Sequence, residues 1–291
     1  MTATAGGRVA VIGDVGGHRD ELTAELRRLG ADPDSGRLPA DLTVVQVGDL
    51  VHRGPDSDGV VALVDAYLGE QPAQWVQLVG NHEAQYLRPP VFDWPERIGD
   101  GAIDILRAWW AEHRMVVAAA IDVAGEQLLV THAGLTAGYW RAALDAPSSA
   151  VDAARALNSF PDAHGDVLFA PGHMLSPRGA ATGANLAAGP VWAAAATELV
   201  PSWLAEPQRA PFGQVHGHSA IADRRRRELR AARDVAALVS VDEQAAHETV
   251  VLPQGGARIV GVDPGHGRRA HRPWRALVLA DARILEPRVS R

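Results

Sequence analysis

Three features of this sequence predict an α/β fold. Apolar stretches alternate with helix-spaced ones over residues 8–81. The first three apolar stretches each stop at a polar residue: Asp14, Asp49 and Asn81. After residue 115 strand follows strand, so a simple doubly wound sheet is not expected.

The elements follow from spacing. RVAVIG (8–13) is short, apolar and β-branched, and reads as a buried strand. Asp14 ends it. A turn leads to a helix carrying Leu22, Leu26 and Leu29, with Asp20 as expected cap and Gly30 as stop. LTVVQV (42–47) is the second strand, broken by Gly48 and followed by Asp49 and the Arg53-Gly54 turn. Ser57 is placed to cap a helix bearing Val60, Val61, Val64 and Leu68. WVQLV (75–79) is the third strand and ends in GNHE (80–83). Such strand–helix repeats build a right-handed parallel sheet. Prolines 89, 90 and 95 mark a loop, and 103–110 a helix. Residues 115–123 and 127–131 read as two strands, the second ending in His132-Ala133-Gly134.

Residues 136–158 have helical character. Residues 160–190 are rich in Gly and Pro and carry His164, His173 and Arg178. A stretch of that length without a regular pattern reads as a lid or insertion. A strand at 212–215 ends in His216-Gly217-His218-Ser219. RRRRELRAAR (224–233) reads as a basic helix with a solvated face. Residues 235–252 and 257–262 read as strands, 263–267 as a tight loop, and 277–280 as a last strand. No repeat or linker is visible, so residues 1–291 are expected to form one domain.

Composition narrows the function. Hydrophobic residues make up 47% and charged ones 22%, ordinary for a globular protein. The net charge of −7 argues against a nucleic-acid partner. The absence of cysteine excludes thiolate metal sites, cysteine nucleophiles and disulfides. No basic-then-apolar leader and no run near ~18 apolar residues is present, so no membrane partner and a cytoplasmic location are expected.

The strand-terminal groups are Asp14, Asp49, Asn81, His132 and His218. Carboxylate, amide oxygen and imidazole together suit borderline-hard divalent ions such as Mn²⁺, Fe²⁺ or Zn²⁺. Two such ions would activate a water and clamp a phosphate for in-line attack. Arg53 is placed to neutralise phosphate oxygens, and His82 to protonate the leaving oxygen.

GDVGG (13–17), GDLVHRG (48–54), GNHE (80–83), HAG (132–134) and GHS (217–219) resemble the ordered motifs of the calcineurin-like metallophosphoesterases. The phosphoprotein-phosphatase branch is the nearest, and GDLVHRGPDS is also similar to bacterial symmetrical diadenosine tetraphosphate hydrolases. The resemblance implies two facing mixed β-sheets flanked by helices, a four-layer sandwich, with a dinuclear site at the strand ends. Asp14 and Asp49 would hold one ion. Asp49, Asn81, His132 and His218 would hold the other. Mn²⁺ is the expected metal, with Fe²⁺, Zn²⁺ or Mg²⁺ as alternatives. Arg53 and Asn81 would bind the phosphorylated substrate, and His82 would be the general acid.

Two positions depart from the family pattern. Gly16 stands where the family has a histidine ligand, and His18, two residues on, is the alternative ligand for the first ion. His52 stands where protein phosphatases have an aspartate that orients the general acid. His216 competes with His218, because residues two apart share a strand face. His113, His247 and His271 read as surface residues, with His247 in a strand. The expected activity is hydrolysis of phosphomonoesters, on phosphoprotein or a small phosphate ester. The alternatives are diadenosine polyphosphate hydrolysis and a non-catalytic phosphate-binding module.

Overall fold

Residues 7–91, 94–170, 184–266 and 274–287 are described by the computed structural model, with the backbone alone at 160–166. β1 (Arg8–Ile12), α1 (Arg19–Leu29), β2 (Leu42–Gln46), α2 (Ser57–Glu70) and β3 (Trp75–Leu78) come first, in the expected alternation. α3 (Asn81–Leu87) and α4 (Asp100–Ala111) lead to β4 (Met115–Val116), β5 (Ala118–Val123) and β6 (Glu126–Thr131). α5 (Ala137–Ala142), α6 (Ala150–Leu168), a π-helical turn (Ala195–Leu199) and α7 (Val200–Ala205) precede β7 (Gly213–His216). β8 (Ala222–Asp223), β9 (Glu228–Leu229), α8 (Arg233–Ala236), β10 (Val239–Asp242), β11 (His247–Val251) and β12 (Arg258–Gly261) follow. β13 (Leu277–Leu279) and β14 (Ala282–Glu286) are last.

Two mixed sheets result. One has the order β13-β1-β2-β3-β4, the other β10-β11-β12-β7-β6-β5-β14. β1 to β4 run parallel, and β12, β7 and β6 run parallel in the second sheet. Strand alternation assigns each side chain to one of two cores. Val9, Val11, Val45, Val76 and Leu78 meet Ile121, Leu128, Val130, Val215 and Val260 between the sheets. Ala10, Ile12 and Val44 turn the other way and pack with Leu22, Leu26, Val60 and Val64 of α1 and α2. α6 lies against β5, β6 and β14 of the second sheet. A fully buried Val or Leu contributes roughly 1.5–3 kcal/mol. Neither face of β1 or β2 can therefore accept a charge cheaply. The two facing mixed sheets flanked by helices are those expected.

Several local expectations differ from the structure. The stretch 224–233 is not a helix. Asp223 and Ala222 pair with Glu228 and Leu229 in a two-stranded hairpin. Asp223 Oδ1 accepts the N–H groups of Arg225 and Arg226, and this side-chain turn outcompetes the helix propensity of arginine. The helix at 136–158 is two helices. Thr136 caps α5, and Ser149 Oγ accepts the N–H of Asp152 at the start of α6. α6 then runs on to Leu168, into the segment read as irregular. The side chain of His164, and all of His173, Arg178 and His271, lie outside the described residues. Residues 115–123 split between the two sheets at Val117, where Asn158 Oδ1 accepts both the Val117 and Ala118 N–H groups. Asp56, not Ser57, caps α2, and α1 begins at Arg19 without a side-chain cap from Asp20.

Candidate metal centre

The parallel strands of both sheets deliver their ends to one place. Asp14 follows β1, Asp49 follows β2 and Asn81 follows β3. His132 follows β6, His218 follows β7 and Asp263 follows β12. Ligand atoms of Asp49, His132 and His218 lie within 4.8 Å of one another. The Asn81 Oδ1 is 2.9 Å from His132 Nε2 and 2.9 Å from His218 Nδ1. His132 Nε2 is 3.3 Å from an Asp49 oxygen. Its other nitrogen, Nδ1, lies 2.9 Å from the Val47 carbonyl. A carbonyl only accepts, so Nδ1 carries the proton and Nε2 presents its lone pair to the centre.

The backbone is bent to make this possible. Asp49, His52, Arg53 and His218 all have φ between 55 and 71°. Each non-glycine residue there costs roughly 1–2 kcal/mol. Other contacts hold them. The Glu83 carboxylate accepts the N–H groups of Asp49, Leu50 and Gly80 at 2.8, 2.8 and 2.9 Å. Asp49 Oδ1 accepts the His82 N–H at 3.0 Å, and Asp14 Oδ1 accepts the His218 N–H at 2.9 Å. A Cβ at Gly80 would collide with Asp49, and one at Gly217 with Asp14 Oδ1. These two glycines let the strand-end loops cross.

Charge in the centre is unbalanced. Burial alone would raise the Asp49 pKa, but the net shift is downward: the Arg53 guanidinium, and any proton that His82, His132 or His218 takes up, favour the ionised carboxylate. Asp14 is pushed well above the carboxylate range by burial, then by Asp263 and Asp49. Burial holds the imidazoles of His132 and His218 below their ordinary value, in the neutral form that a metal ion would require. Asp14 Oδ2 and His218 Nε2 are buried and have no hydrogen-bond partner among the described residues. An orphaned carboxylate oxygen, an orphaned imidazole nitrogen and a shared amide oxygen fit a divalent cation.

Residues 7–221 match the model of the calcineurin-like phosphoesterases. The chain belongs to that family. Over 90 residues it is 34% identical to a zinc-dependent endopolyphosphatase of Saccharomyces cerevisiae, a match covering 30% of this chain and 25% of that protein. The chain thus spans about a quarter of that relative's length. The fold resembles the crystal structure of a cold-active protein-tyrosine phosphatase of a psychrophilic Shewanella. The TM-score is 0.54 at 14% identity, over 94% of this chain and 75% of that one.

Two departures from this family's pattern are visible in space. Gly16 leaves room that His266 borders, with its Cβ 3.8 Å from where a Gly16 Cβ would sit. His18 is buried; its ring lies 4.6 Å from that of His266, and its Nδ1 is 3.6 Å from Glu21. His18 is not in the group formed by Asp49, His132 and His218. At the second departure, His52 Nδ1 lies 3.0 Å from His82 Nδ1, and His52 Nε2 meets the Tyr86 hydroxyl. His82 Nε2 is 3.6 Å from Asp49 Oδ2. Trp94 stacks on His52 and tilts against His82, with ring centroids 5.4 and 4.4 Å away.

Arg53 donates to the His266 carbonyl at 3.2 Å and sits 5.9 Å over the Trp94 ring. His216 is buried, but its Nδ1 turns to the Gly217 carbonyl, and it is His218 that joins the centre. Sequence reasoning missed Tyr86, Trp94, Asp263 and His266. Tyr86 stands four residues after His82 on α3, a helical neighbour spacing. Asp263 is strand-terminal like Asp14 and Asp49, and that signal could have found it.

Two clefts border the centre. One, of about 400 Å³, is lined by Asn81, Gln85, Arg88, Phe169 and Trp192. The other, of about 690 Å³, is lined by His218, Arg53 and the β8–β9 hairpin.

Proposed function

We propose that this protein is a metal-dependent phosphatase that hydrolyses phosphomonoesters, carried on phosphoprotein or on a small phosphate ester. One observation carries the reading: the Asn81 oxygen stands 2.9 Å from both His132 and His218, beside ionised Asp49. Asp49, Asn81, His132 and His218 would hold one divalent ion. Asp14 and Asp49 would hold a second, with His18 as a further ligand. Mn²⁺ is the proposed metal, with Fe²⁺, Zn²⁺ or Mg²⁺ as alternatives; carboxylate, amide oxygen and imidazole together suit borderline-hard divalent ions. Such ions supply Lewis-acid activation of water and charge neutralisation on phosphate. Arg53 binds phosphate oxygens through its guanidinium fork, and the Asn81 amide orients them. His82 gives a proton to the leaving oxygen. No helix of the described residues is long and apolar enough to cross a membrane. The expected setting is the cytoplasm.

The test is turnover of p-nitrophenyl phosphate by metal-stripped and by Mn²⁺-replete protein. Turnover restored by metal supports the reading. Phosphate binding without turnover in any of the four metals would leave a non-catalytic module instead. A second reading keeps the centre and changes the substrate to a phosphoanhydride such as a diadenosine polyphosphate. The arginine-lined cleft beside His218 favours it.

A further inference from the structure

The β8–β9 hairpin brings four arginines to the cleft that borders the metal centre. Arg224, Arg225, Arg226 and Arg230 line it together with Arg53. Two carboxylates share the lining, Asp223 and Asp263. Asp223 is already committed to Arg230 and to the N–H groups of Arg225 and Arg226. A chain of net charge −7 thus concentrates positive charge in one cleft. Electrostatic focusing in a concave, low-dielectric site concentrates ligands of opposite sign.

A merely solvated basic turn would leave its guanidinium groups in water. Arg225 and Arg226 are exposed, but Arg224 is not; its side chain is only 7% exposed. Its Nη1 donates to the Asp263 carbonyl at 3.3 Å, and its Nη2 lies 3.5 Å from Glu248. Its buried Nε has no hydrogen-bond partner among the described residues. The contacts with Asp263 and Glu248 seat the Arg224 head group in the wall of the cleft rather than in water. The Asp223 turn also fixes the hairpin backbone that carries these arginines before any ligand arrives.

We propose that this cleft is a subsite for the further phosphate groups of a linear phosphoanhydride chain, and that such a chain is the preferred substrate. The inference rests on the phosphatase reading of the centre and, of its two substrate readings, commits to the phosphoanhydride. Arg53 is the link, because it lines the cleft together with His218 of the metal centre. A chain with one phosphate at Arg53 runs its other phosphates along the hairpin. There the exposed Arg225 and Arg226, the latter 3.6 Å from Glu228, offer guanidinium groups to phosphate oxygens, while Arg224 and Arg230 keep their carboxylate partners. A phosphomonoester with a single phosphate leaves Arg225 and Arg226 unused. Inorganic polyphosphate and dinucleoside polyphosphates share the required chemistry. In either case water adds to phosphorus, one P–O–P bridge breaks, and the bridging oxygen leaves on the departing phosphate. No co-reactant beyond water is needed.

The experiment compares metal-replete wild type with the Arg225→Ala/Arg226→Ala double variant at fixed free metal. Substrates are tripolyphosphate, diadenosine tetraphosphate, a phosphoserine peptide and p-nitrophenyl phosphate. Wild type should prefer at least one anhydride over both monoesters, and which one identifies the source of the chain. In the double variant, kcat/KM for that anhydride should fall relative to p-nitrophenyl phosphate by about tenfold or more, mainly through KM. That is the loss of one charge-assisted hydrogen bond. An unchanged ratio, or a wild-type preference for the phosphopeptide, overturns the subsite. Loss of all turnover by wild type would strike the phosphatase reading instead. Calorimetric binding of tripolyphosphate to both proteins then decides the subsite: weaker binding by the variant supports it, and equal binding ends it.

Discussion

The Nδ1 atoms of His52 and His82 lie 3.0 Å apart. Two such nitrogens can share only one proton. The Val51 carbonyl, 3.1 Å from His82 Nδ1, accepts but cannot donate. The proton therefore sits on His82 Nδ1, and His82 Nε2 faces Asp49 bare. A second proton, on Nε2, is what makes His82 an acid. Burial lowers the His82 pKa and Asp49 raises it in part. His52 is pushed down to about 4, by burial and then by His82, so it stays neutral.

That pairing sets the first expected outcome. General-acid help is typically worth about 10²–10⁴-fold and matters most for poor leaving groups. His82→Ala should lower turnover of an alkyl phosphate far more than that of p-nitrophenyl phosphate, with metal content unchanged. Equal losses on both would give His82 a structural or phosphate-binding role. His52→Asp places a carboxylate beside His82 and should move the alkaline limb of the kcat–pH profile, where the acid loses its proton, upward. An unmoved limb would mean that His82 is not the titrating acid.

The second concerns stability. His52 is neutral in the folded protein, with a pKa of about 4 against an ordinary 6.5. Below 6.5 the unfolded chain binds a proton that the folded one refuses. Metal-free protein should therefore lose stability as pH falls from about 6.5 toward 4. Burial also lowers His132 and His218, in the same direction. Urea unfolding at pH 7 and pH 5 should show a smaller drop for His52→Gln than for wild type. An equal drop would remove His52 from the account.

The third concerns the two ions. Gly16 offers no side chain, and His18 lies against His266 and Glu21. The ion at Asp14 should be held more weakly than its neighbour. Metal titration of stripped protein should give two unequal affinities, and His18→Ala should weaken only the lower one. Two equal, tight sites that survive His18→Ala would contradict both the weak site and the ligand role of His18.

Much of this was legible in the sequence because strands announce themselves where they are buried on both faces. β1, β2 and β3 are mostly apolar runs, with the buried Gln46 and Gln77 bonded to each other, and each is broken where Asp14, Asp49 and Asn81 must leave the sheet. His132 and His218 follow the same rule in the second sheet. The Arg-rich hairpin was not legible, because its shape depends on one Asp223 oxygen capturing two backbone N–H groups. Helix propensity is a weak prior, and a local side-chain turn overrode it. The pairing of His52 with Tyr86 and Trp94 depends on loops meeting across the chain, which no local pattern records. His266 reaches Gly16 from the far end of the sequence for the same reason.

The central claim is that Asp49 is the residue on which every bound ion depends. Asp49→Asn tests it most directly. Asparagine tolerates the left-handed backbone at φ 55° as aspartate does, so the change removes charge and spares the fold. Elemental analysis of the purified variant, beside turnover of p-nitrophenyl phosphate, is the measurement. Metal content well below that of wild type, with activity lost, is the expected result. Full metal stoichiometry with undiminished turnover would contradict the account.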